Sequence, residues 1–116
     1  MEIKHTEVSK AGAIKITAED IENNKTMGRI FLYFIHNNLH EEPYALLEDL
    51  YVETEYRQQG LGSKLIKEAV DVAKKEGCYK IIGTSRYARK EVHRFYQKLG
   101  FDDYGVEFRM NLKSIE

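Results

Sequence analysis

The sequence predicts an α/β domain built on a mixed sheet, and three observations carry that expectation. Strand-length apolar runs recur, the clearest being Arg29 to His36 and Ala45 to Val52. Residues 61–76 carry apolar side chains at helical spacing, with Leu61, Leu65, Ala69, Val72 and Ala73 in one stripe and charges opposite. A short glycine-bearing loop, Arg57-Gln58-Gln59-Gly60-Leu61-Gly62, joins the second of those strands directly to that helix.

Taken in order, Ile3 to Val8 and Ala13 to Ala18 are expected to form a hairpin across Lys10-Ala11-Gly12. Glu19 to Met27 is polar and turn-like around Asn23-Asn24. Arg29 to His36 has bulky residues at both parities, Ile30, Leu32 and Phe34 against Phe31, Tyr33 and Ile35, as in a central strand covered on both faces. Asn37 to Pro43 reads as a loop, and Ala45 to Val52 as the next strand. The helix from Leu61 stops at Gly77. Lys80 to Thr84 is a short buried strand. Glu91 to Leu99 is a second helix, anchored by Val92, Phe95, Tyr96 and Leu99 and closed by Gly100. Val106, Phe108, Met110 and Leu112 alternate with Glu107, Arg109 and Asn111, the pattern of a strand buried on one face.

Composition bounds the function. The 116 residues suffice for one compact domain spanning 1–116, with no internal repeat or linker. At 42% hydrophobic and 32% charged residues the chain is expected to be globular and soluble. A net charge of −1 gives no general attraction to nucleic acid or an anionic membrane. No run of 18 apolar residues and no leader pattern is present, and the single Cys78 excludes an internal disulfide and a cysteine-rich metal site. These features suggest a cytoplasmic protein.

The loop after Val52 is the chemical centre of the sequence. A strand that turns through glycines into a helix aims backbone N–H groups and the positive helix end at one spot, which suits phosphate. It is not a P-loop, because Gly62 is followed by Ser63 before Lys64. It is not a dinucleotide fingerprint, because position 65 is Leu65 where a third glycine is needed. What remains is Arg57-x-x-Gly60-x-Gly62, a pattern that an ordinary strand-to-helix connection also produces.

A second segment, Phe95-Tyr96-Gln97-Lys98-Leu99-Gly100-Phe101, makes the pair specific. Together they resemble the GNAT superfamily of acyl-CoA-dependent N-acetyltransferases, whose Q/R-x-x-G-x-G/A loop and F-Y-x-K-L-G-F segment occur in this order. The resemblance covers roughly residues 44–112. It implies a mostly antiparallel mixed sheet flanked by helices, with acetyl-CoA as acyl donor and no metal. The family usually carries two helices between its first and second strands, where they wall the acceptor site. Ser9 to Gly12 leaves no room for them. An open groove, or one completed by a second subunit, is therefore expected, and a bare sheet edge in so small a domain favours a homodimer.

The resemblance also distributes roles. Backbone groups of Leu50, Tyr51 and Val52 would hold the pantetheine arm as an added strand. N–H groups of Gln58, Gln59, Gly60, Leu61, Gly62 and Ser63 would cradle the pyrophosphate. Arg57 either fixes this loop or pairs with phosphate, and a solvated surface side chain is the plainer alternative. Arg89, in a run matching R-x-x-x-H-x-F-Y, would reach the CoA phosphates, within a basic cluster that reads equally well as a solvated face.

Amide formation needs a neutral amine, and with a pKa near 10.4 only roughly one amine in a thousand is neutral at pH 7. A proton acceptor is required, as is a donor for the departing thiolate. The resemblance points Tyr96 at the sulfur, and a phenol is a donor at neutral pH; the plainer alternative is a packed aromatic. Glu48 is the candidate base. In unbroken alternation it shares a face with Leu46, Leu50 and Val52, and apolar neighbours raise a carboxylate pKa. Leu47-Glu48-Asp49-Leu50-Tyr51-Val52 resembles a run in diamine acetyltransferases of the family, where Asp49 suits a cationic acceptor. A strand bulge there would instead turn one or both carboxylates to solvent.

Other constellations carry less. His36 and His40 with Glu41 and Glu42 lie in a predicted loop, so no metal site is expected. Cys78 reads as a small buried hydrophobe. The acceptor class expected is a small-molecule amine or a peptide or protein amine. A non-catalytic acyl-CoA-binding module and a basic-patch binding module for nucleic acid or protein are the alternatives.

Overall fold

The computed structural model describes residues 12–113. The chain divides into two compact units, Met1–Gly83 and Thr84–Glu116. The first holds a four-stranded sheet in the order β1-β2-β3-β4, with β1 Gly12–Asp20, β2 Lys25–Ile35, β3 Tyr44–Val52 and β4 Ile81–Ile82. β1–β2 and β2–β3 pair antiparallel and β3–β4 pairs parallel, so the sheet is mixed and mostly antiparallel. A single 3₁₀ turn (Thr54–Tyr56) leads to helix α1 (Leu61–Lys75). The expected strand at Ile3 to Val8 lies outside the described residues. Among those described, no α-helix precedes α1.

β1 and β2 are joined by Ile21-Glu22-Asn23-Asn24, with Asn24 at φ 53°, a left-handed position that asparagine tolerates. Asp20 closes the turn. Its Oδ2 accepts from Asn23 Nδ2 at 2.8 Å and from the Tyr56 hydroxyl at 3.1 Å, tying the turn to the 3₁₀ segment.

The core lies between one sheet face and α1. Ile30, Leu32 and Phe34 of β2 and Ala45 and Leu47 of β3 are buried on that face, against Leu65, Ile66, Ala69 and Ala73 of α1. Of the predicted helical stripe Leu65, Ala69 and Ala73 are buried while Leu61 and Val72 are half-buried, and Ile66, outside the stripe, is among the fully buried side chains. β2 is central, but its two faces are unequal. Phe31, Tyr33 and Ile35 are only half-buried, so the strand is fully covered on one side. α1 ends where expected, with Gly77 at φ 78° and the Gly77 and Cys78 N–H groups closing back on Lys74 and Ala73 carbonyls. The predicted strand over Lys80 to Thr84 contracts to two half-buried residues, because only Ala45↔Ile81 and Leu46↔Ile82 form a ladder.

The second unit holds helix α2 (Lys90–Lys98), bounded by Arg89 and Leu99. Its C-terminal end is closed by Gly100 at φ 99°, with Gly100 N–H to Gln97 O (3.0 Å) and Phe101 N–H to Tyr96 O (3.1 Å). The strand expected over Val106 to Leu112 does not form among the described residues. Period-2 alternation makes a segment fit to pair, yet a strand exists only where a ladder partner meets it. Phe108 is 92% exposed and Met110 82%, and Arg109 Nη2 pairs locally with Glu107 Oε2 at 2.7 Å.

Hydrogen bonds from Asn23, first, and Tyr56 hold the Asp20 carboxyl below its ordinary pKa. Its contribution to stability is therefore complete above the ordinary carboxylate range and is lost as pH falls through the depressed folded value. Burial, and then the bond to Asp20, push Tyr56 up, so its contribution is lost only as strongly alkaline pH passes the raised value. The stability advantage of the wild type over Asp20→Asn is expected to shrink steadily on acidification from pH 5 to about 2, measured by urea unfolding at each pH; a pH-independent difference would contradict the linkage.

Candidate functional site

The site is built on the end of β3. The β2–β3 register runs Phe31↔Glu48 and then Arg29↔Tyr51. One residue of β2, Ile30, thus faces two of β3, Asp49 and Leu50. This is a β-bulge, and Asp49 makes it by taking φ 54°, a conformation that Asp tolerates better than most side chains. The extra residue reverses parity. Before the bulge Ala45 and Leu47 face α1; after it Val52, opposite Gly28, does so. Glu48 therefore shares its face with Leu46 and Tyr51, and not with Leu50 and Val52 as unbroken alternation predicts. Glu48 is half-buried and Asp49 exposed.

The other edge of β3 is open beyond the bulge. The ladder to β4 ends at Leu46↔Ile82, so among the described residues Leu47–Val52 pair on one side only, with β2. An extended arm with amide groups can join such an edge as a strand does.

Past Val52 the chain is held by its own backbone. Glu53 N–H donates to Met27 O at 2.8 Å and Arg57 N–H to Thr54 O at 3.3 Å. Arg57 Nε donates to Val52 O at 2.7 Å, and its guanidinium carbon lies 5.2 Å from the Tyr51 ring centre. Arg29 approaches the same ring at 5.1 Å. Gln58 at φ 64° and Gly60 at φ 77° reverse the chain into α1. Helical bonding starts with Lys64 N–H to Gly60 O at 3.1 Å. The N–H groups of Leu61, Gly62 and Ser63 thus have no carbonyl of the helix to meet. Gly60, as N-cap, offers no side-chain acceptor, and no acidic residue stands in the first turn. This end of a 15-residue helix can receive an anion.

Gly28 is the residue that sequence reasoning missed. A Cβ there would lie 2.9 Å from Tyr51 O, 3.3 Å from Leu65 Cδ1 and 3.4 Å from Val52 Cα. Its absence lets β3 and the first turn of α1 close on β2. An isolated glycine inside a strand pattern is the signal that finds such a place.

In the second unit, Tyr96 sits in α2 with its ring 5.7 Å from Phe95 and 5.2 Å from Phe101, both edge-on. Arg89 is the N-cap residue of α2, and its Nε pairs with Glu91 Oε1 at 2.6 Å. His93 Nε2 lies 2.8 Å from Arg86 O, bracing the segment before the helix. His40 stacks on Tyr79 at 4.6 Å, and no group of residues that could hold a metal occurs among the described residues. Burial raises the pKa of the Cys78 thiol, which disfavours the reactive thiolate. No helix among the described residues is long and apolar enough to cross a membrane.

The sequence matches the family model described as Acetyltransferase (GNAT) family over residues 7–101. The chain belongs to the GNAT acetyltransferase family. It is 38% identical over 66 residues to a glucosamine 6-phosphate N-acetyltransferase of Trypanosoma brucei brucei, a match covering 57% of this chain and 43% of that protein. It is 36% identical over 72 residues to the thialysine N-epsilon-acetyltransferase of Bos taurus, covering 62% and 42%. The matches therefore span about two fifths of these relatives. Among solved structures, a Trypanosoma brucei acetyltransferase superposes with a TM-score of 0.80 at 26% identity, covering 87% of this chain and 70% of that one. A putative acetyltransferase from Agrobacterium tumefaciens superposes at 0.79 with 25% identity, covering 86% and 69%.

Gly28→Ala is expected to lower unfolding free energy by about 1–3 kcal/mol, because the new methyl meets backbone rather than a yielding side chain. Denaturant midpoints of the variant and wild type check this; an unchanged midpoint would mean that β3 can retreat without cost.

Proposed function

We propose that this GNAT-family chain is an N-acetyltransferase that transfers an acetyl group from acetyl-CoA to a primary amine by direct attack in a ternary complex. The observation that carries the reading is the sequence of open β3 edge, bulge and uncapped α1 N-terminus, one behind the other along the chain. Backbone groups of Leu50, Tyr51 and Val52 take the pantetheine arm, and N–H groups from Gln58 to Ser63 take the pyrophosphate. Arg57 acts mainly on the loop, since its Nε is engaged with Val52 O. Arg89 is assigned to the CoA phosphates at the cost of its pair with Glu91.

In the reaction the amine nitrogen attacks the thioester carbonyl carbon, the C–S bond breaks, and the electron pair leaves on sulfur. Glu48 accepts the amine proton, directly or through water. Tyr96 donates its phenolic proton to the thiolate. Asp49, exposed at the bulge, attracts a cationic acceptor. Residues 1–116 work as one acetyltransferase domain, cytoplasmic and homodimeric, acting on a small-molecule amine or a peptide or protein amine. The relatives named above act, by their names, on glucosamine 6-phosphate and thialysine, which supports a small amine as acceptor.

Thiol release from acetyl-CoA against amines, polyamines, amino acids and lysine peptides tests the reading, with acetyl-CoA binding measured alongside. Acceptor-dependent release is expected. Binding without release would mark a non-catalytic acyl-CoA-binding module, and absence of binding would overturn the site itself. Tyr96→Phe is expected to lower kcat by about 10²–10⁴ with acetyl-CoA affinity nearly unchanged. Unaltered turnover would remove Tyr96 from the mechanism. Glu48→Gln is expected to abolish the acidic limb of the pH–rate profile; a profile identical to wild type would leave water as the base.

A further inference from the structure

The sheet face turned away from α1 carries two cations, Lys15 and Arg29, that nothing in the catalytic assignment uses. The register sets its side chains in three rows: Ala13, Tyr33 and Leu46; then Lys15, Phe31 and Glu48; then Thr17, Arg29 and Tyr51. Phe31 and Tyr33 stack at 6.4 Å and form an aromatic floor. Lys15 Nζ lies 5.7 Å from the Phe31 ring and the Arg29 guanidinium 5.1 Å from the Tyr51 ring. Among the described residues neither cation has a carboxylate within 4.0 Å, the pairs found being Lys25–Glu55, Arg89–Glu91 and Arg109–Glu107.

Glu48 is on the same face and equally without an ion-pair partner among the described residues. Lys15 is two strands away from it, about 10 Å at the usual strand spacing. Arg29 is a diagonal neighbour, about 7–8 Å away between Cα atoms. No ion pair joins these groups among the described residues, so a small molecule with one group of each sign can meet both kinds of charge on this face. The face presents a carboxylate on β3, where the acyl donor edge lies, and two cations toward β1, across aromatic rings.

We propose that the acceptor is an amine that also carries an oxyanion, a carboxylate or a phosphate. It lies across this face with its amine at Glu48 and its oxyanion at Arg29 and Lys15. The inference rests on the acetyltransferase reading and names its substrate class. Arg29 and Lys15 are specificity residues: they bind the end of the acceptor that does not react. Arg29 is the stronger of the two, because a guanidinium pairs bidentately with either oxyanion.

The test uses matched acceptor pairs that differ only in the anionic group: lysine against cadaverine, and glucosamine 6-phosphate against glucosamine. For at least one pair the oxyanion-bearing member is expected to show a kcat/KM higher by about tenfold or more. The pair that responds tells carboxylate from phosphate. Arg29→Gln and Lys15→Gln should each erode that ratio by raising KM, with kcat held. Arg29→Lys should keep part of the ratio, which a merely structural Arg29 would not predict. Equal rates within both pairs, or variants that slow both members alike, would overturn the proposal. Calorimetric binding of the same four compounds to the full chain reads the face without turnover. If no acceptor releases thiol, the acetyltransferase reading fails by itself, and the binding preference still decides for or against an oxyanion site.

Discussion

Much of the structure depends on one extra residue in β3. Two residues, Asp49 and Leu50, stand opposite the single Ile30, and the strand beyond them has reversed parity. Without the reversal Val52, opposite Gly28, would leave the α1 face. With it, Tyr51 comes to the same face as Glu48. The bulge also bends β3 and increases its local twist. The β3–β4 ladder stops just before it, at Leu46↔Ile82. From Leu47 onward one edge of β3 pairs with no strand among the described residues, and unpaired edge groups are a template for an added strand. The φ of Asp49 thus sets which residues share a face with Glu48, and the open edge begins just before it.

The close approach at Gly28 is the second half of this arrangement. A bulged strand can stay packed only if its partner yields room, and β2 yields it by having no side chain where Tyr51 O passes. Two guanidiniums then flank the Tyr51 ring, Arg29 from β2 and Arg57 from the loop. Each contact of this kind contributes about 0.5–1 kcal/mol at an exposed site. Their larger consequence is positional. Arg57 is bonded to Val52 O as well, so the loop that opens α1 is referenced to the end of β3. The N–H groups of α1 and the open edge are held by the same few residues.

These features were legible in the sequence to very different degrees. The strands at residues 29–36 and 45–52 and the helix from Leu61 were readable because burial imposes its period on every residue of a long element. α1 buries Leu65, Ala69 and Ala73 of its stripe and adds Ile66, while Leu61 and Val72 are half-buried. The Arg57-x-x-Gly60-x-Gly62 loop was readable because a left-handed turn into a helix needs few residue types, and Gly60 takes φ 77° there. Glu48 was placed on the right strand with the wrong neighbours, because alternation assumes an unbroken ladder. A bulge leaves almost no mark in a single sequence; Asp49 is its one hint, and Asp is also common on ordinary surfaces. The Val106–Leu112 segment failed for the opposite reason. Its pattern is clear, but pattern states only that a segment can pair, and pairing needs a partner.

Charge placement on the open sheet face was not legible at all. Lys15, Arg29 and Glu48 are far apart in sequence, and each alone looks like a solvated side chain. Only the register across three strands sets them on one surface. That surface places its cations beside aromatic rings and away from carboxylates, an arrangement that leaves each charge available. Lys15 stands two strands from Glu48 with Phe31 between them, and Arg29 is a diagonal neighbour of Glu48 on the adjacent strand. The two cations and the carboxylate define a direction across the sheet, from β1 and β2 to β3. In the proposed reading, that direction would turn the amine of a molecule with one group of each sign toward an acyl donor at the β3 edge, and orientation of this kind is what amine attack requires.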